Sequence, residues 1–230
     1  MATASVVPLR LLVLGGTGRT GCAVIDLALQ RGHEVTAVAR APEKLGGPRG
    51  RLNALGGDVT REELLRELLP GHDAVISALG HRGLGAESIL CDCAKALVPA
   101  MEEVGPTRLL VVSVATLFDA GWFERLLRRT LLANVCADSE QMEAVIAGSR
   151  LEWTVVRPPR LSQRRSSGGY RAEDGKMPGH ARSVSREDVA WFLVDGAERP
   201  AHVRRVVGIG GARRESHRVE QRQITAHRAR

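Results

Sequence analysis

The stretch Leu11-Leu12-Val13-Leu14-Gly15-Gly16-Thr17-Gly18-Arg19-Thr20-Gly21 constrains this chain more than any other part of it. A short apolar run, Leu9 to Leu14, feeds a glycine-rich turn, and Cys22 to Arg31 then carries apolar residues at helical spacing. Glycine serves two needs in such a loop. The backbone turns through φ values that other residues resist, and it approaches a pyrophosphate with no Cβ in between. The following helix aims its free N–H groups and the positive end of its dipole at the phosphates. The strand before and the amphipathic helix after separate this loop from an isolated glycine pattern. The competing reading is a tight strand–helix turn without a ligand. Gly15, Thr17, Gly18, Arg19, Thr20 and Gly21 are therefore the candidate phosphate-binding residues.

Beyond the loop, strand and helix patterns alternate. Strands are expected at Glu34–Ala39, Asn53–Val59, His72–Leu79, Arg108–Val114 and Glu152–Val156. Helices are expected at Arg61–Leu69 (Thr60 as N-cap), Glu87–Val104 and Ser139–Ser149. This order implies βαβ units, right-handed crossovers and a Rossmann-type, doubly wound parallel sheet. After Pro158 the pattern loosens. Arg160–Gly179 reads as a loop with a short strand near Tyr170, followed by a helix at Arg186–Glu198 and a strand at Arg204–Ile209. The expectation is one domain over residues 1–211, with 160–211 as a small substrate-side cap and 212–230 as a basic, disordered tail.

Composition excludes several classes of function. The 230 residues are 43% hydrophobic and 26% charged, as in an ordinary globular protein. Net charge is +7, but Arg213 to Arg230 holds six Arg against two Glu, so the body is only mildly basic. That tail has no aromatic residue, which argues against specific nucleic-acid binding. No apolar run reaches the roughly 18 residues of a membrane span. The N-terminal apolar stretch is broken by Pro8 and Arg10, unlike a signal peptide, so a cytoplasmic location is expected. Cys22, Cys91, Cys93 and Cys136 lack zinc-ribbon or disulfide spacing, and no metal site is expected. His33 and His72 precede strands and read as solvated turn residues.

The end of the second strand selects the cofactor. A chain built for NAD carries an acid about 20 residues past the loop, to hold the ribose 2′-hydroxyl. Here the sequence is Val38-Ala39-Arg40, with Lys44 close behind. Two cations suit a 2′-phosphate through charge-assisted hydrogen bonds, so NADP(H) is expected. Asp58 and Val59 end the third strand, at the adenine edge. Asp58 reads equally as a cap for the next helix.

The glycine loop, Gly57-Asp58-Val59, Trp153-Thr154-Val155-Val156-Arg157-Pro158-Pro159 and Gly169-Tyr170-Arg171 occur in an order and spacing that resemble the atypical short-chain dehydrogenase/reductases. Within them the likeness is to the NAD(P)H-binding subgroup containing biliverdin-IXβ/flavin reductase and the NmrA-like proteins, and it spans roughly Leu9 to Gly210. The resemblance implies that Leu79, Gly80, His81, Arg82, Ser113, Pro158 and Pro159 surround the nicotinamide. Ser113 and His81 are the candidate catalytic residues.

The departures from that family carry as much weight. The Tyr-x-x-x-Lys proton relay of typical short-chain dehydrogenases is absent: the one tyrosine is Tyr170, and the residue four on is Asp174. A reductase of this kind relies on placing donor and acceptor, with the proton taken from water or substrate. That suits a planar acceptor that delocalises charge, such as a flavin, quinone or tetrapyrrole. Thr116, Phe118 and Trp122 after the fifth strand, and Arg160 and Tyr170 after the sixth, are the candidate substrate wall. Trp122 and the adjacent Phe123 read equally as core. Two other functions stay open, a non-catalytic NADP(H) sensor and a redox-neutral isomerase or dehydratase of a biosynthetic pathway. Monomer and homodimer are both compatible with the sequence.

Overall fold

The structure is a computed structural model describing residues 7–46, 50–81, 83, 85, 88–118, 130, 132–166 and 168–212. Arg82, Trp122, Phe123 and the basic tail from Arg213 lie outside the described residues.

The alternating apolar pattern of the first strand divides the core. Leu11 and Val13 of β1 (Arg10–Leu14) face one layer, Leu12 and Leu14 the other, and all four are fully buried. Such two-sided burial is what a parallel sheet between helices requires. On one side lie α1 (Arg19–Gln30) and α5 (Arg186–Glu198), which contribute Val24, Ile25, Val189 and Leu193. On the other lie α2 (Glu62–Leu68), α3 (Ile89–Val104) and α4 (Ala133–Ala147), with Leu65, Leu97, Met101, Met142 and Ile146. Each fully buried side chain of this kind contributes about 1.5–3 kcal/mol.

Among the described residues the main sheet has eight strands in the order β3-β2-β1-β4-β5-β6-β10-β8. Their ranges are β2 (Glu34–Ala39), β3 (Leu52–Gly56), β4 (Ala74–Ser77), β5 (Arg108–Val112), β6 (Glu152–Arg157), β8 (Tyr170–Asp174) and β10 (Arg205–Gly211). All neighbours are parallel except β8, which pairs antiparallel to β10 at the edge. The doubly wound Rossmann-type fold expected from the sequence is present. The strand order reverses between β1 and β4, which opens a ligand crevice at their carboxyl ends.

Several expected boundaries move. Helix α4 starts at Ala133, six residues ahead of Ser139. Strand β3 stops at Gly56 because Gly57 N–H returns to Ala39 and Asp58 turns the chain. Thr60 is no N-cap; its hydroxyl donates to Asp58 at 2.8 Å, and α2 starts after Arg61. In Arg160–Gly179 the short strand expected near Tyr170 is β8, and the stretch expected as loop also holds β7 (Arg160–Ser162), which pairs with β9 (Ser183–Ser185) in a separate two-stranded sheet. Strand β10 extends the main sheet beyond β6, and α5 packs on the same face as α1. His33 is buried, not solvated: its ring accepts from Leu9 N–H (3.1 Å) and meets Glu198 (2.9 Å), tying β1 to the end of α5.

Candidate active site

The loop between β1 and α1 is shaped by backbone contacts that leave no room for a side chain. Gly15 has φ +78°, and a Cβ there would stand 2.9 Å from the Ala78 carbonyl at the end of β4. A Cβ on Gly21 would meet the Gly15 carbonyl oxygen at 2.2 Å. Gly18 N–H closes the turn onto Gly15 at 2.9 Å. Gly18 is also the N-cap of α1, so no side chain occupies the amides of the helix's first turn. Thr17, Gly18 and Arg19 are exposed, whereas Thr20 and Gly21 are buried under them. This cradle, with open amides at a helix start, fits a pyrophosphate.

The β2 end lies beside the cradle. Arg40 and Lys44 are both exposed, Lys44 in a short 3₁₀ turn at Pro42–Leu45. Asp58 Oδ1 accepts from Thr60 N–H at 3.0 Å as well as from the Thr60 hydroxyl. The Thr60 amide, its hydroxyl and then the nearby Arg40 and Arg61 hold the Asp58 carboxyl below the usual carboxylate range. Asp58 thus shapes the turn after β3, next to buried Val59 and within the field of Arg40.

At the β5 and β6 ends the structure assembles a cluster that sequence reading found only in pieces. Ser113 N–H bonds to Val156 and Ala115 N–H to Pro158, which pins the two strand ends together. The Ser113 hydroxyl donates to Glu143 Oε1 at 2.5 Å. Arg157 grips the same carboxylate with two bonds, Nε to Oε1 at 3.0 Å and Nη2 to Oε2 at 2.6 Å. The pair is largely shielded, with side chains 15% and 11% exposed. The Arg157 guanidinium also stacks 4.8 Å above the Phe118 ring centre. The Ser113 hydroxyl hydrogen is thus committed to a carboxylate that Arg157 also grips.

A second α4 carboxylate faces the β4 end. Asp138, buried, meets His81 Nε2 at 2.8 Å and accepts the N–H groups of Leu90 and Cys91 at the start of α3. Leu79 and Gly80 precede His81 beyond β4, and beyond β6 Pro158 is buried and Pro159 half-buried. Thr116 packs by the β5 end, its hydroxyl 3.3 Å from Cys136 Sγ. Arg160 is exposed at the start of β7.

Tyr170 is not with them. Its hydroxyl donates to Asp195 at 2.9 Å and its ring packs edge-on against Phe192, on the α1/α5 side of the sheet. Burial, then the Asp195 bond, pushes its phenol well above the usual tyrosine range. A groove of about 840 Å³ lies between α1 and α5, with Arg19 and Trp191 among its lining residues. It touches none of Ser113, Glu143, Arg157 or His81. No three His, Cys, Asp or Glu side chains among the described residues cluster as metal ligands, and no helix among them is long and apolar enough to cross a membrane.

Asp138 and Glu143 were missed by sequence reading. They lie in the polar run Asp138-Ser139-Glu140-Gln141, ended by Met142-Glu143, which looks like a solvated helix face. Arg157 belongs to the motif that ends in Pro158-Pro159, but its ion pair is not legible there.

A family of proteins described as NAD(P)H-binding matches residues 15–200, four-fifths of the chain, from the first loop glycine to the end of α5. The chain belongs to the NAD(P)H-binding family. A relative, the uncharacterized Bacillus subtilis protein YwnB, is 27% identical over 202 residues, covering 83% of this chain and 92% of that protein. A short-chain dehydrogenase/reductase from Veillonella parvula, solved in complex with NADP, superposes with a TM-score of 0.73 at 19% identity, over 90% of this chain and 96% of that one. A protein from Streptococcus pneumoniae described as a candidate NADH-flavin reductase gives 0.70 at 24% identity, over 89% of this chain and 100% of that one. The two solved structures share the fold of this chain.

Proposed function

We propose that this NAD(P)H-binding protein is an NADPH-dependent reductase that delivers hydride to a planar conjugated acceptor without a Tyr/Lys proton relay. The observation that carries this reading is the Ser113–Glu143–Arg157 cluster at the β5 and β6 ends. The hydroxyl that could polarise a ketone has its hydrogen on Glu143, and the chain's one tyrosine is engaged by Asp195. Such a site offers lone pairs where carbonyl reduction needs a donor. An acceptor that spreads its own charge takes the hydride without a donor at that hydroxyl, its proton arriving from another group.

The loop amides of Gly15–Gly21 hold the pyrophosphate in this reading, with Arg19 beside it. Arg40 and Lys44 take the 2′-phosphate, and Asp58 and Val59 line the adenine edge. Leu79, Gly80, His81, Ser113, Pro158 and Pro159 frame the nicotinamide. When bound, NADPH supplies the hydride. Phe118 and the Arg157 guanidinium stacked on it form a flat wall, and Thr116 and Arg160 complete the acceptor side. Tyr170, spent on packing, is left out of it.

The test is steady-state oxidation of NADPH and of NADH against a benzoquinone, FMN, a linear tetrapyrrole and a simple ketone. Turnover of at least one planar acceptor, with NADPH preferred and the ketone inert, is the expected result. Ketone reduction at a comparable rate would overturn the reading, and so would NADPH binding with no turnover of any acceptor.

A further inference from the structure

A proton must still reach the reduced acceptor. Among the described residues, the Ser113 hydroxyl has its hydrogen on Glu143, the carboxylate that Arg157 grips, and His81 is the ring held by a carboxylate of its own. Its Nε2 sits 2.8 Å from Asp138 Oδ2, and the same carboxylate accepts the N–H of Leu90 at 3.1 Å and of Cys91 at 2.8 Å. Both side chains are shielded, His81 at 7% and Asp138 at 3% exposure. A carboxylate already receiving two amide hydrogens accepts from the ring too, so the neutral imidazole carries its hydrogen on Nε2. Nδ1 is then the nitrogen that gains and loses a proton.

Among the described residues, helix α4 supplies Asp138 to the ring, and the start of α3 supplies the amides of Leu90 and Cys91 to the same carboxylate. Asp92, one residue on, accepts from the Ser88 hydroxyl at 2.5 Å instead. The arrangement has the logic of an acid–base residue oriented by a third group. His81 follows the carboxyl end of β4, which pairs with β5, and ligands of doubly wound sheets bind at the carboxyl ends of the strands.

We propose that His81 is the proton donor of the reaction and that Asp138 is the positioning residue fixing its ring and tautomer. This rests on the reductase reading given above. The balance is simple: the acceptor gains a hydride, leaving NADP⁺, and a proton from Nδ1–H of the His81 imidazolium. The Nε2–H bond to Asp138 is kept throughout, and water returns a proton to Nδ1.

The experiment is the pH profile of kcat/KM for NADPH oxidation with a benzoquinone, on the full chain and on His81→Gln, Asp138→Asn and Asp138→Glu. Tm and ¹⁵N spectra of the His81 ring are recorded beside it. General acid catalysis is worth about 10²–10⁴-fold, so His81→Gln should lose about 100-fold or more and flatten the limb due to the imidazole. Asp138→Asn should lose roughly 10-fold in kcat with KM for NADPH held. Its profile should move to lower pH, because a neutral partner favours the imidazolium less. Asp138→Glu should recover part of both effects, and wild-type spectra should place the neutral ring's hydrogen on Nε2. A purely structural pair would lower Tm and leave the profile in place, and that result overturns the proposal. So does a wild-type profile in His81→Gln, which carries the test if Asp138→Asn loses the fold. If the wild type reduces no acceptor, the reductase reading falls and the donor role with it. Turnover that persists unchanged in His81→Gln sinks only the donor role.

Discussion

Replacing Gly21 by Ala tests the loop argument through a single methyl group. Gly21 lies in the first turn of α1, and the added Cβ would meet the Gly15 carbonyl oxygen at 2.2 Å and the Gly15 carbonyl carbon and Gly16 Cα at 2.9 Å. All three are backbone atoms, so no flexible side chain can yield. Overpacking of this kind costs about 1–3 kcal/mol, and Ala's better helix propensity returns up to about 1 kcal/mol. A net loss of about 1–2 kcal/mol corresponds to a Tm lowered by roughly 2–8 °C in a chain of this size. The loop must also shift away from the helix, which pulls its amides off the phosphates. Losing one charge-assisted amide bond costs about 1.5–3 kcal/mol, or roughly 10–150-fold in Kd for NADPH. Thermal unfolding and a fluorescence titration with NADPH read both quantities. Gly148→Ala is the control: Gly148 has φ −73° and a Cβ there would find its nearest neighbours at 3.6 Å. It should leave Tm and Kd as they are, or raise Tm slightly. Wild-type Tm and NADPH affinity in Gly21→Ala would refute the account of the loop.

Three further outcomes are expected. Arg40→Ala should weaken NADPH binding by roughly 10–150-fold while leaving NADH binding nearly unchanged, for loss of one charge-assisted bond to the 2′-phosphate; paired titrations check it. Glu143→Gln strands Arg157 and frees the Ser113 hydroxyl, at a cost of roughly 1.5–3 kcal/mol seen as a lower urea midpoint. Tyr170 titrates above the usual tyrosine range when folded, so past about pH 10 the unfolded chain loses a proton that the folded chain keeps. Stability should therefore fall as pH rises through that window, and Tyr170→Phe should remove this contribution. Urea melts near neutral pH and near pH 11 decide it, with phenolate absorbance reporting Tyr170 alone, since the chain has no other tyrosine.

The parts of this molecule legible in its sequence are those where one residue's chemistry suffices. The glycine loop is forced by backbone contacts, and only glycine fits them, so a single sequence reveals it. The alternating strands and helices follow from two-sided burial, and the sheet order follows from crossover handedness. What stayed hidden depends on pairs distant in sequence. Asp138 lies 57 residues from His81, and Glu143 lies 30 from Ser113 and 14 from Arg157. In a helix with so many polar residues, a carboxylate turned toward the sheet carries no sign that sets it apart from one facing water. Tyr170 shows the converse error. Its rarity made it conspicuous, yet its hydroxyl is needed by Asp195 and its ring by Phe192. His33 was misplaced for the same reason: its turn position says nothing of Glu198, 165 residues away.

The central claim is hydride transfer from NADPH to a planar acceptor. A single-turnover reaction tests it most directly: protein loaded with one equivalent of NADPH deuterated at the transferring position is mixed with a benzoquinone, and NADPH absorbance and the isotope effect are followed. The account predicts full loss of NADPH in one phase, slowed by deuterium, with a simple ketone leaving the absorbance untouched. NADPH that stays reduced with every planar acceptor while remaining bound would contradict it and point to a sensor or a redox-neutral enzyme.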